Sequence, residues 1–598
     1  MIGILILIER KGLAYTGNQM SESVLIPKDA KISPAVKSKP LCLVIYDSTE
    51  PFTQMECYHN ICFVLDEMRV AYSTVDTDAV EEMPSFLQYE TVVFSTRYFN
   101  DVSMKFLYEL FAWVEEGGNV LFANPIDNPS IISLFAGRIG IKDSEWDLVS
   151  QNNCSVVSDF LTGAKGLTMQ WDSGGEIERL GGNYKLDDSC MVHMKSTGSE
   201  GETAMVWEKN LGRGKIIVNN NDAIHERWSR GLISAEYSRF GDVFAWPVIN
   251  ASVFFMDDFP APIPEGYNEY VDRDYGLSLE SFFVNVWFPD ILKISKEYHI
   301  KYTGGLIETY ADKVTPPFER NLSSDRMDYF GKRLLNEGGE IAVHGYNHQS
   351  IVPVGFDYKD RLSYNQWESM EDASQALDEL THFGNELFKD YTLHTYVPPS
   401  NVLSTEGRRM IAEQFPEINT IAGIYIDDFL GNADEFGIDQ YGLITLPRVA
   451  SGYDIGESIF WFMISEVNLH FVNTHFVHPD DVVDLNRGAD KGWEWLKNRY
   501  IELISWLSKF PMRNMTAQEG AGAVSRFDKL TLSRTVLDNK LKLSIGGFYD
   551  EAWFLVRINE GTVLEVAGGT LTNVEGNLYL LKADDPNVLI SLEGVDDL

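Results

Sequence analysis

The sequence contains little cysteine, few basic residues and no long apolar run. Its five cysteines are scattered before residue 200, at positions Cys42, Cys57, Cys62, Cys154 and Cys190. None of them forms a C-x-x-C pair, which excludes a cysteine-rich zinc module and a disulfide scaffold, although one bridge from Cys57 stays open. The chain has 49 basic and 89 acidic residues, which gives a formal net charge of −40. This surplus disfavours nucleic acid and anionic membrane surfaces as partners, and it suits either solubility or attraction of a cationic polymer.

The amino terminus has only a short apolar run. Ile2 to Ile8 covers seven residues before Glu9-Arg10-Lys11, whereas a membrane-spanning helix needs about 20. The basic leader and small-residue cleavage site of a signal peptide are missing. We interpret the run either as the end of a membrane segment that starts upstream of Met1 or as a short buried strand. The polar, proline-containing stretch 12–40 is predicted as a tether, so the first interpretation predicts an extracytoplasmic, membrane-associated protein.

The remaining pattern predicts an α/β protein of three or four domains. Between residues 41 and 245, short apolar strands alternate with helices, which predicts a Rossmann-like parallel α/β domain. Residues 246–512 repeat the alternation in a length typical of a (β/α)7-type barrel. The predicted barrel strands are 250–256, 302–307, 340–344, 393–397, 419–425, 443–446 and 468–474. Among the helices predicted between them, one runs from Asp325 to Asn336 and is closed by Gly338-Gly339. Residues 513–598 contain short strands with Gly and Asn turns, which predicts a small β-sandwich.

Ionisable residues follow three of the predicted barrel strands. They are Asp257, Asp258, His344, His348, His475 and His478. Catalytic groups gather at this rim in alternating barrels. Two carboxylates and a His-x-x-x-His pair also match a hydrolytic metal centre, which needs about three protein ligands and an open position for water. Seven of the eleven histidines lie between positions 344 and 478, and this clustering favours function over isolated structural roles.

The order of these motifs resembles the polysaccharide deacetylase superfamily, carbohydrate esterase family 4, over residues 246 to about 510. The matching segments are Phe255-Met256-Asp257-Asp258-Phe259, His344-Gly345-Tyr346-Asn347-His348, Tyr396-Val397-Pro398-Pro399 and His475-Phe476-Val477-His478-Pro479. Paired aspartates, a His-x-x-x-His spacing, a Pro after a strand and a late strand-end His follow one another as in that family.

The resemblance implies a metal-dependent N-deacetylase with assigned residue roles. Asp258, His344 and His348 would hold a divalent metal, zinc by preference, with cobalt, nickel or manganese as alternatives. Asp257 would be the general base that takes a proton from water. The leaving amine needs a general acid, for which His478 is the first candidate and His475 the second.

The sequence departs from the family pattern in two places. No Arg precedes the third-motif Pro398 and Pro399, the predicted substrate-binding prolines. Arg448 follows a later strand and is predicted either to replace that Arg beside Asp257 or to be a surface residue. The family's Asp-x-x-Asp-Trp motif is not evident, and Tyr453 and Trp461 are its predicted substitutes in lining the substrate pocket.

The first domain resembles the class I glutamine amidotransferase-like fold, whose chemistry needs a nucleophilic Cys at a strand-to-helix turn. Strand 119–123 is followed instead by Asn124-Pro125-Ile126-Asp127, which predicts a non-catalytic domain. The whole arrangement is similar to deacetylases of Gram-positive Pel-type exopolysaccharide clusters and to an allied uncharacterised bacterial family. That similarity implies a partly N-acetylated hexosamine polymer as substrate and the polymer synthesis machinery as partner. The alternatives are a non-catalytic glycan-binding matrix protein and another metal-dependent amidohydrolase.

Overall fold

The computed structural model describes residues 24–170, 180–198, 201–389, 391–426, 430, 433–537 and 539–594, without the side chains of 144–147. The described chain forms two compact units. We call residues 24–30, 249–456 and 472–528 the barrel unit, after the fold predicted for most of them, and residues 31–248, 457–471 and 529–594 the companion unit. The predicted amino-terminal run Ile2 to Ile8 lies outside the described residues. Among the helices that are described, none is long and apolar enough to cross a membrane.

The barrel unit is built on one ten-stranded sheet that is parallel except at one edge strand. Its strands follow in the order Gly437–Ile438, Ile444–Thr445, Thr420–Ile421, Thr395–Tyr396, Glu340–Val343, Tyr302–Leu306, Ala251–Met256, Val472–Val477 and Ala450–Ser451, with Asn514–Met515 beside Ala251–Met256. All six residues of Ala251–Met256 are buried. Such continuous apolar strands are typical of parallel sheets whose two faces are both covered.

Helices alternate with these strands. They are Glu269–Tyr275, Leu279–Phe282, Phe288–Tyr298, Asp325–Asn336, Met370–Leu387, Thr405–Gln414, Trp493–Leu507 and Ala517–Asp528, with a π-helical turn at Phe283–Trp287 and 3-10 turns at Pro399–Asn401, Pro479–Val482, Leu485–Arg487 and Ala489–Lys491. Helix Asp325–Asn336 has the predicted bounds. Acidic residues occupy its first turn and Met327, Phe330 and Leu334 its buried face. It ends before Gly338, whose φ of +80° suits a residue without Cβ.

Two boundaries predicted for this region were wrong. The strand predicted at 468–474 runs from Val472 to Val477, because residues 468–469 still belong to helix Glu457–Leu469. The helix is apolar around most of its circumference, so periodicity cannot distinguish it from a buried strand. Residues 517–528, predicted inside the β-sandwich, form a helix of the barrel unit. Its Gly520 approaches the sheet so closely that a Cβ there would lie 2.9 Å from Val253.

The companion unit contains a nine-stranded sheet whose first five strands are parallel. The strand order is Tyr72–Asp76, Cys42–Tyr46, Thr91–Phe94, Asn119–Phe122, Gly214–Asn219, Gly201–Leu211, Met191–Gly198, Asn153–Val156 and Thr168–Gln170. Ile141–Ser150 and Leu180–Leu186 form a separate two-stranded sheet. The helices are Phe52–Glu67, Met104–Glu115, Pro129–Ile139, Arg230–Tyr237 and Glu457–Leu469, with 3-10 turns at Asp222–His225 and Arg227–Ser229. The predicted parallel strands are present in the first part of the sheet, and its remaining strands pair antiparallel.

Two four-stranded sheets complete the companion unit and share one apolar core. One contains Val243–Val248, Ala552–Ile558, Leu578–Ala583 and Gly569–Glu575, and the other Thr531–Leu537, Lys540–Gly546, Asn587–Glu593 and Thr562–Ala567. The predicted domain boundary at 245 falls inside strand Val243–Val248, which pairs with Ala552–Ile558. The sandwich therefore takes one strand from before the barrel, a long-range pairing that local pattern does not reveal.

Part of the predicted tether is ordered on this sandwich. Ser33 Oγ donates to the Ile545 carbonyl at 2.7 Å, and Ser38 Oγ to the Leu532 carbonyl at 2.7 Å. Residues 33–38 are thus hydrogen-bonded to the sheet. All five cysteines are free thiols, so the bridge that the sequence left open is not formed.

Candidate active site

The carboxyl ends of neighbouring barrel strands bring the predicted site residues together. Ala251–Met256, which precedes the two aspartates, lies between Tyr302–Leu306 and Val472–Val477. Glu340–Val343, which precedes the His pair, lies beside Tyr302–Leu306. Because parallel strands end at the same edge of a sheet, side chains that are distant in sequence meet there.

Asp258, His344 and His348 form a compact cluster of metal-ligating atoms. Asp258 Oδ1 lies 3.3 Å from His344 Nε2 and 3.5 Å from His348 Nε2. One ligand atom from each residue falls within 4.8 Å of the others. With bonds of about 2.0–2.2 Å, ligands on a tetrahedral zinc are about 3.4 Å apart. The spacing of the three side chains therefore fits one small divalent cation.

The surroundings orient the two imidazoles. His344 Nδ1 donates to the Val397 carbonyl at 2.8 Å, which leaves Nε2 free to face Asp258. His348 Nδ1 lies 3.1 Å from the Tyr364 hydroxyl. Such partners on the second ring nitrogen set the tautomer of metal-binding histidines.

Two of the three candidate ligands have left-handed backbones. Asp258 has φ +53° and His348 φ +57°, a conformation that is strained for residues with a Cβ and is concentrated at functional sites. Asp258 Oδ1 is buried without a hydrogen-bond donor. A bound cation would supply the partner that this carboxylate oxygen lacks.

Asp257 is held by a buried arginine. Arg448 has no exposed surface, and its Nη1 forms an ion pair with Asp257 Oδ2. Its Nη2 contacts Asn401 Oδ1, and its Nε donates to the Gly423 carbonyl at 3.2 Å. Burial raises the pKa of Asp257, but the Arg448 charge outweighs it, so the pKa lies below its usual value. Arg448 thus has the position predicted for a replacement of the missing third-motif Arg, and Asp257 Oδ1 is left without a donor.

His478 approaches the same oxygen of Asp257 as Arg448 does. Its Nε2 is 3.8 Å from Asp257 Oδ2, and its Nδ1 is 3.2 Å from Asp481 Oδ1. Asp481 also accepts the His478 backbone N–H at 3.1 Å and pairs with Arg487. Burial lowers the pKa of His478, but the hydrogen bond and charge of Asp481 raise it to about 9. Asp481 therefore favours the imidazolium form at neutral pH, and Arg487 Nη1 also lies 2.9 Å from His478 Nδ1.

His475 does not reach these groups. It is fully buried inside strand Val472–Val477, its Nε2 donates to the Gly452 carbonyl at 2.8 Å, and its ring stacks on Tyr500 with centroids 5.4 Å apart. Burial lowers its pKa to about 4. His475 is thus a neutral histidine of the core, and the structure does not place it for proton transfer at the rim.

The four predicted substrate-binding residues lie in different places. Pro398 and Pro399 are buried in the loop that receives His344, and the Pro399 carbonyl accepts from Ser350 Oγ at 3.0 Å. Tyr453 is buried, accepts from Trp287 Nε1 at 2.9 Å and contacts the His478 carbonyl at 3.4 Å, so it supports the site from behind. Trp461 was wrongly predicted: it belongs to the companion unit, where it packs on Trp228.

Sequence reasoning missed three residues of the site. Asn401, Asp481 and Arg487 hold Arg448 or His478 in place. Asn401 follows the third-motif prolines, and Asp481 comes three residues after His478. For Asn401 and Asp481, this proximity to a motif is the one signal that the sequence offers.

A small pocket opens beside the cluster. Its volume is about 160 Å³, and Asp258 and Asp480 share its lining with the apolar side chains of Phe259, Phe283, Trp287 and Phe330. A polar reaction centre against apolar walls is typical of sites that bind small organic groups.

Comparison with solved structures gives the class of fold. The crystal structure of Agd3, described as a novel carbohydrate deacetylase, aligns with 92% of this chain and 98% of its own, at a TM-score of 0.54 and 11% identity. The chain therefore has a deacetylase-like fold. Smaller likenesses include a ThuA-like protein from Bacteroides uniformis (34% of this chain, 94% of that one, TM-score 0.24, 11% identity). A β-galactosidase from Bacillus circulans matches 33% of this chain and 30% of its own, at a TM-score of 0.24 and 14% identity.

The sequence also matches one family model over residues 30–177 and 176–580. The chain belongs to that family, which is described as an uncharacterised protein conserved in bacteria (DUF2194). A search of curated proteins found no match.

Proposed function

We propose that this protein is a metal-dependent deacetylase that removes acetyl groups from an N-acetylhexosamine polymer. The observation that carries the proposal is that three groups lie close together beside one pocket. The first is the cluster of Asp258, His344 and His348. The others are Asp257, which pairs with Arg448, and His478. The deacetylase-like fold supports the same reaction class. A polymer substrate agrees with a protein that works outside the cytoplasm beside polymer synthesis machinery, and we include both in the proposal.

Asp258, His344 and His348 would hold the metal, zinc by preference, with cobalt, nickel or manganese as alternatives. A divalent ion supplies Lewis-acid polarisation of a carbonyl and lowers the pKa of water. The donor set of one carboxylate and two imidazoles leaves positions open for both.

Asp257 would act as general base. Its Oδ2 is occupied by Arg448, whereas Oδ1 is buried and without a donor. Arg448 favours the ionised form of the carboxylate and keeps it in one orientation. The free oxygen is thus available to take a proton from water.

His478 would act as general acid. An amide nitrogen leaves only when it is protonated, and His478 carries a proton at neutral pH because Asp481 stabilises the imidazolium. Its Nε2 points to the carboxylate of Asp257, which is the proposed base. Base and acid then flank one reaction centre.

The apolar pocket would receive the acetyl methyl. Its aromatic walls lie beside Asp258, so a carbonyl near the metal cluster places its methyl against Trp287, Phe283 or Phe330. The glycan-binding alternative was motivated mainly by the missing third-motif Arg. The ion pair between Arg448 and Asp257 weighs against that motive.

The test uses the full chain. Protein loaded with zinc is incubated with poly-N-acetylglucosamine, and released acetate and new free amines are measured together. We expect stoichiometric acetate and amine, and loss of both after chelation with recovery on zinc. Loaded protein that releases acetate from small amides but not from the polymer would favour the general amidohydrolase, and no release from any amide would overturn the proposal.

A further inference from the structure

A groove in the barrel unit adjoins the small pocket beside Asp258. The groove has a volume of about 930 Å³ and shares Ala261, Pro262, Ile263 and Tyr310 with the pocket. Ligand pockets for molecules of several rings occupy about 300–1,000 Å³. The space is therefore larger than one acetylated sugar needs, and it leads away from the proposed reaction centre.

Tyr310 stands where pocket and groove meet. It follows strand Tyr302–Leu306 and keeps 49% of its surface exposed although it lines both spaces. A tyrosine ring offers a flat apolar face with a polar tip, and exposed aromatic surface of this kind marks binding sites. The C–H face of a pyranose ring is a ligand that matches it.

The loop that carries Tyr310 is held in place before any ligand arrives. Asn321 donates its backbone N–H to Glu308 Oε1 at 2.8 Å and its side-chain amide to the Glu308 carbonyl at 2.8 Å. In the middle of the loop, Asn347 Nδ2 donates to the Lys313 carbonyl at 2.6 Å. Asn347 lies within the His-x-x-x-His segment, so the groove wall and the metal cluster are fixed to each other. A preformed wall reduces the entropy cost of binding.

The charge of the groove restricts its ligand. Within the described part of the chain, no ion-pair partner is found for three of its carboxylates, Glu265, Glu319 and Asp325. Arg326 is paired with Glu280 and Arg320 with Glu379, and Lys313, the third cation of the lining, donates to the Pro317 carbonyl. The lining thus keeps a small acidic surplus, which favours a neutral or cationic sugar chain over one with uronate or phosphate groups.

Resting on the proposed function, we propose that this groove binds the sugar units next to the one being deacetylated, with Tyr310 stacked on the neighbouring ring. The protein would then recognise oligomers of several N-acetylhexosamine units and bind a single unit poorly.

The test measures binding apart from turnover. Zinc-loaded protein with the Asp257→Asn change is titrated calorimetrically with N-acetylglucosamine oligomers from one to six units, which it should not consume. We expect affinity to rise with length beyond one unit. Adding Tyr310→Ala should weaken hexamer binding about five- to tenfold, the usual range for one aromatic contact, and reduce the ratio of hexamer to monomer affinity.

Two matched variants serve as controls for the Tyr310→Ala measurement. Tyr310→Phe keeps the ring and should keep hexamer affinity, and Tyr108→Ala removes an equally exposed tyrosine (48%) of the companion unit and should have no effect. Equal affinity for monomer and hexamer, an unchanged hexamer affinity in Tyr310→Ala, or equally tight binding of a uronate hexamer would each overturn the inference. Hexamer binding with the expected Tyr310 dependence, in a protein that releases no acetate, would support the groove and sink the proposed reaction.

Discussion

The molecule contains two parallel sheets, and polar residues follow the strands of both. In the companion unit, Glu50 comes after strand Cys42–Tyr46 and Asn124 after strand Asn119–Phe122. Glu50 accepts hydrogen bonds from Thr96 Oγ1 and from the backbone of the next loop residues. Asn124 donates to the Ser95 carbonyl and to Cys57 Sγ. The hydrogen bonds of both side chains fix neighbouring segments of the companion unit to each other.

The barrel unit uses the same location differently. Asp257 and Asp258 each keep one buried oxygen without a donor, and a pocket opens beside them. Left-handed backbones at Asp258 and His348 add local strain. The comparison teaches that polar residues at strand ends do not suffice for a site. Asp47, directly after strand Cys42–Tyr46, also has a buried oxygen without a donor, so that feature alone does not distinguish a site either. The candidate site is distinguished by several metal-ligating side chains that cluster beside a pocket.

The largest expected effect is loss of metal from the barrel unit. The double change His344→Ala/His348→Ala leaves only Asp258, so we expect bound zinc, measured by mass spectrometry, to fall to background and activity to vanish. His382→Ala, at an exposed position of the same unit, should keep full occupancy. Retained zinc in the double variant would mean that the cluster is not the metal site.

The next effect compares two strand-end carboxylates. Asp257→Asn should lower turnover by about 10²–10⁴-fold, the range for losing an acid–base group, while zinc content stays constant. Glu50→Gln in the companion sheet should leave both unchanged, because that carboxylate only fastens a loop. Zinc loss in Asp257→Asn would reverse the assignments of the two aspartates.

A third comparison concerns buried arginines. Arg448→Met leaves the charge of Asp257 buried and unpaired, which costs about 3–5 kcal/mol of stability. Arg97→Met in the companion unit should cost less, because Arg97 lies 3.4 Å from an Asp127 that keeps contact with water. Urea unfolding measures both. Adding Asp257→Asn should recover much of the Arg448→Met loss, and no recovery would contradict a direct charge pairing.

Activity should also depend on the His478 proton. Asp481 raises the pKa of His478 above its usual value, to about 9, so the protonated acid is present below that pH and lost above it. We expect kcat to fall about tenfold per pH unit beyond about 9. Asp481→Asn should shift this alkaline limb to lower pH. A limb that does not move in the variant would remove His478 from the acid role.

The smallest effect is a pH dependence of stability in the companion unit. His470 Nδ1 lies 2.6 Å from Glu466 Oε2 and its Nε2 3.0 Å from Glu67 Oε2. Burial lowers its pKa, but Glu466 and Glu67 raise it to about 9, against about 6.5 when unfolded. Its contribution is therefore complete below about pH 6.5 and lost as pH rises through about 9. We expect a loss on the order of 1–3 kcal/mol in urea unfolding between about pH 6 and pH 10. His470→Gln should flatten the loss, and an equally steep dependence in that variant would show that other groups titrate.

Sequence patterns predicted the elements whose signals are local. Helix Asp325–Asn336 has the predicted bounds because acidic residues and a glycine mark its ends. The candidate ligands were found because apolar strands end directly before Asp257 and before His344. The strand predicted at 468–474 was placed too early, because the end of helix Glu457–Leu469 and the start of strand Val472–Val477 are both apolar. Prediction failed at Trp461, whose type suited a pocket but whose helix belongs to the other unit.

By itself, the sequence determined which chemical groups stand at strand ends: paired carboxylates, a His-x-x-x-His segment and a late His-Pro. Only the tertiary structure decided which groups meet. Arg448 reaches Asp257 across 191 residues of chain, and of two histidines three residues apart one faces Asp257 and the other Tyr500. The reason is physical: residue type and periodicity act within one element, whereas contacts between elements depend on strand order, register and close packing of the whole sheet.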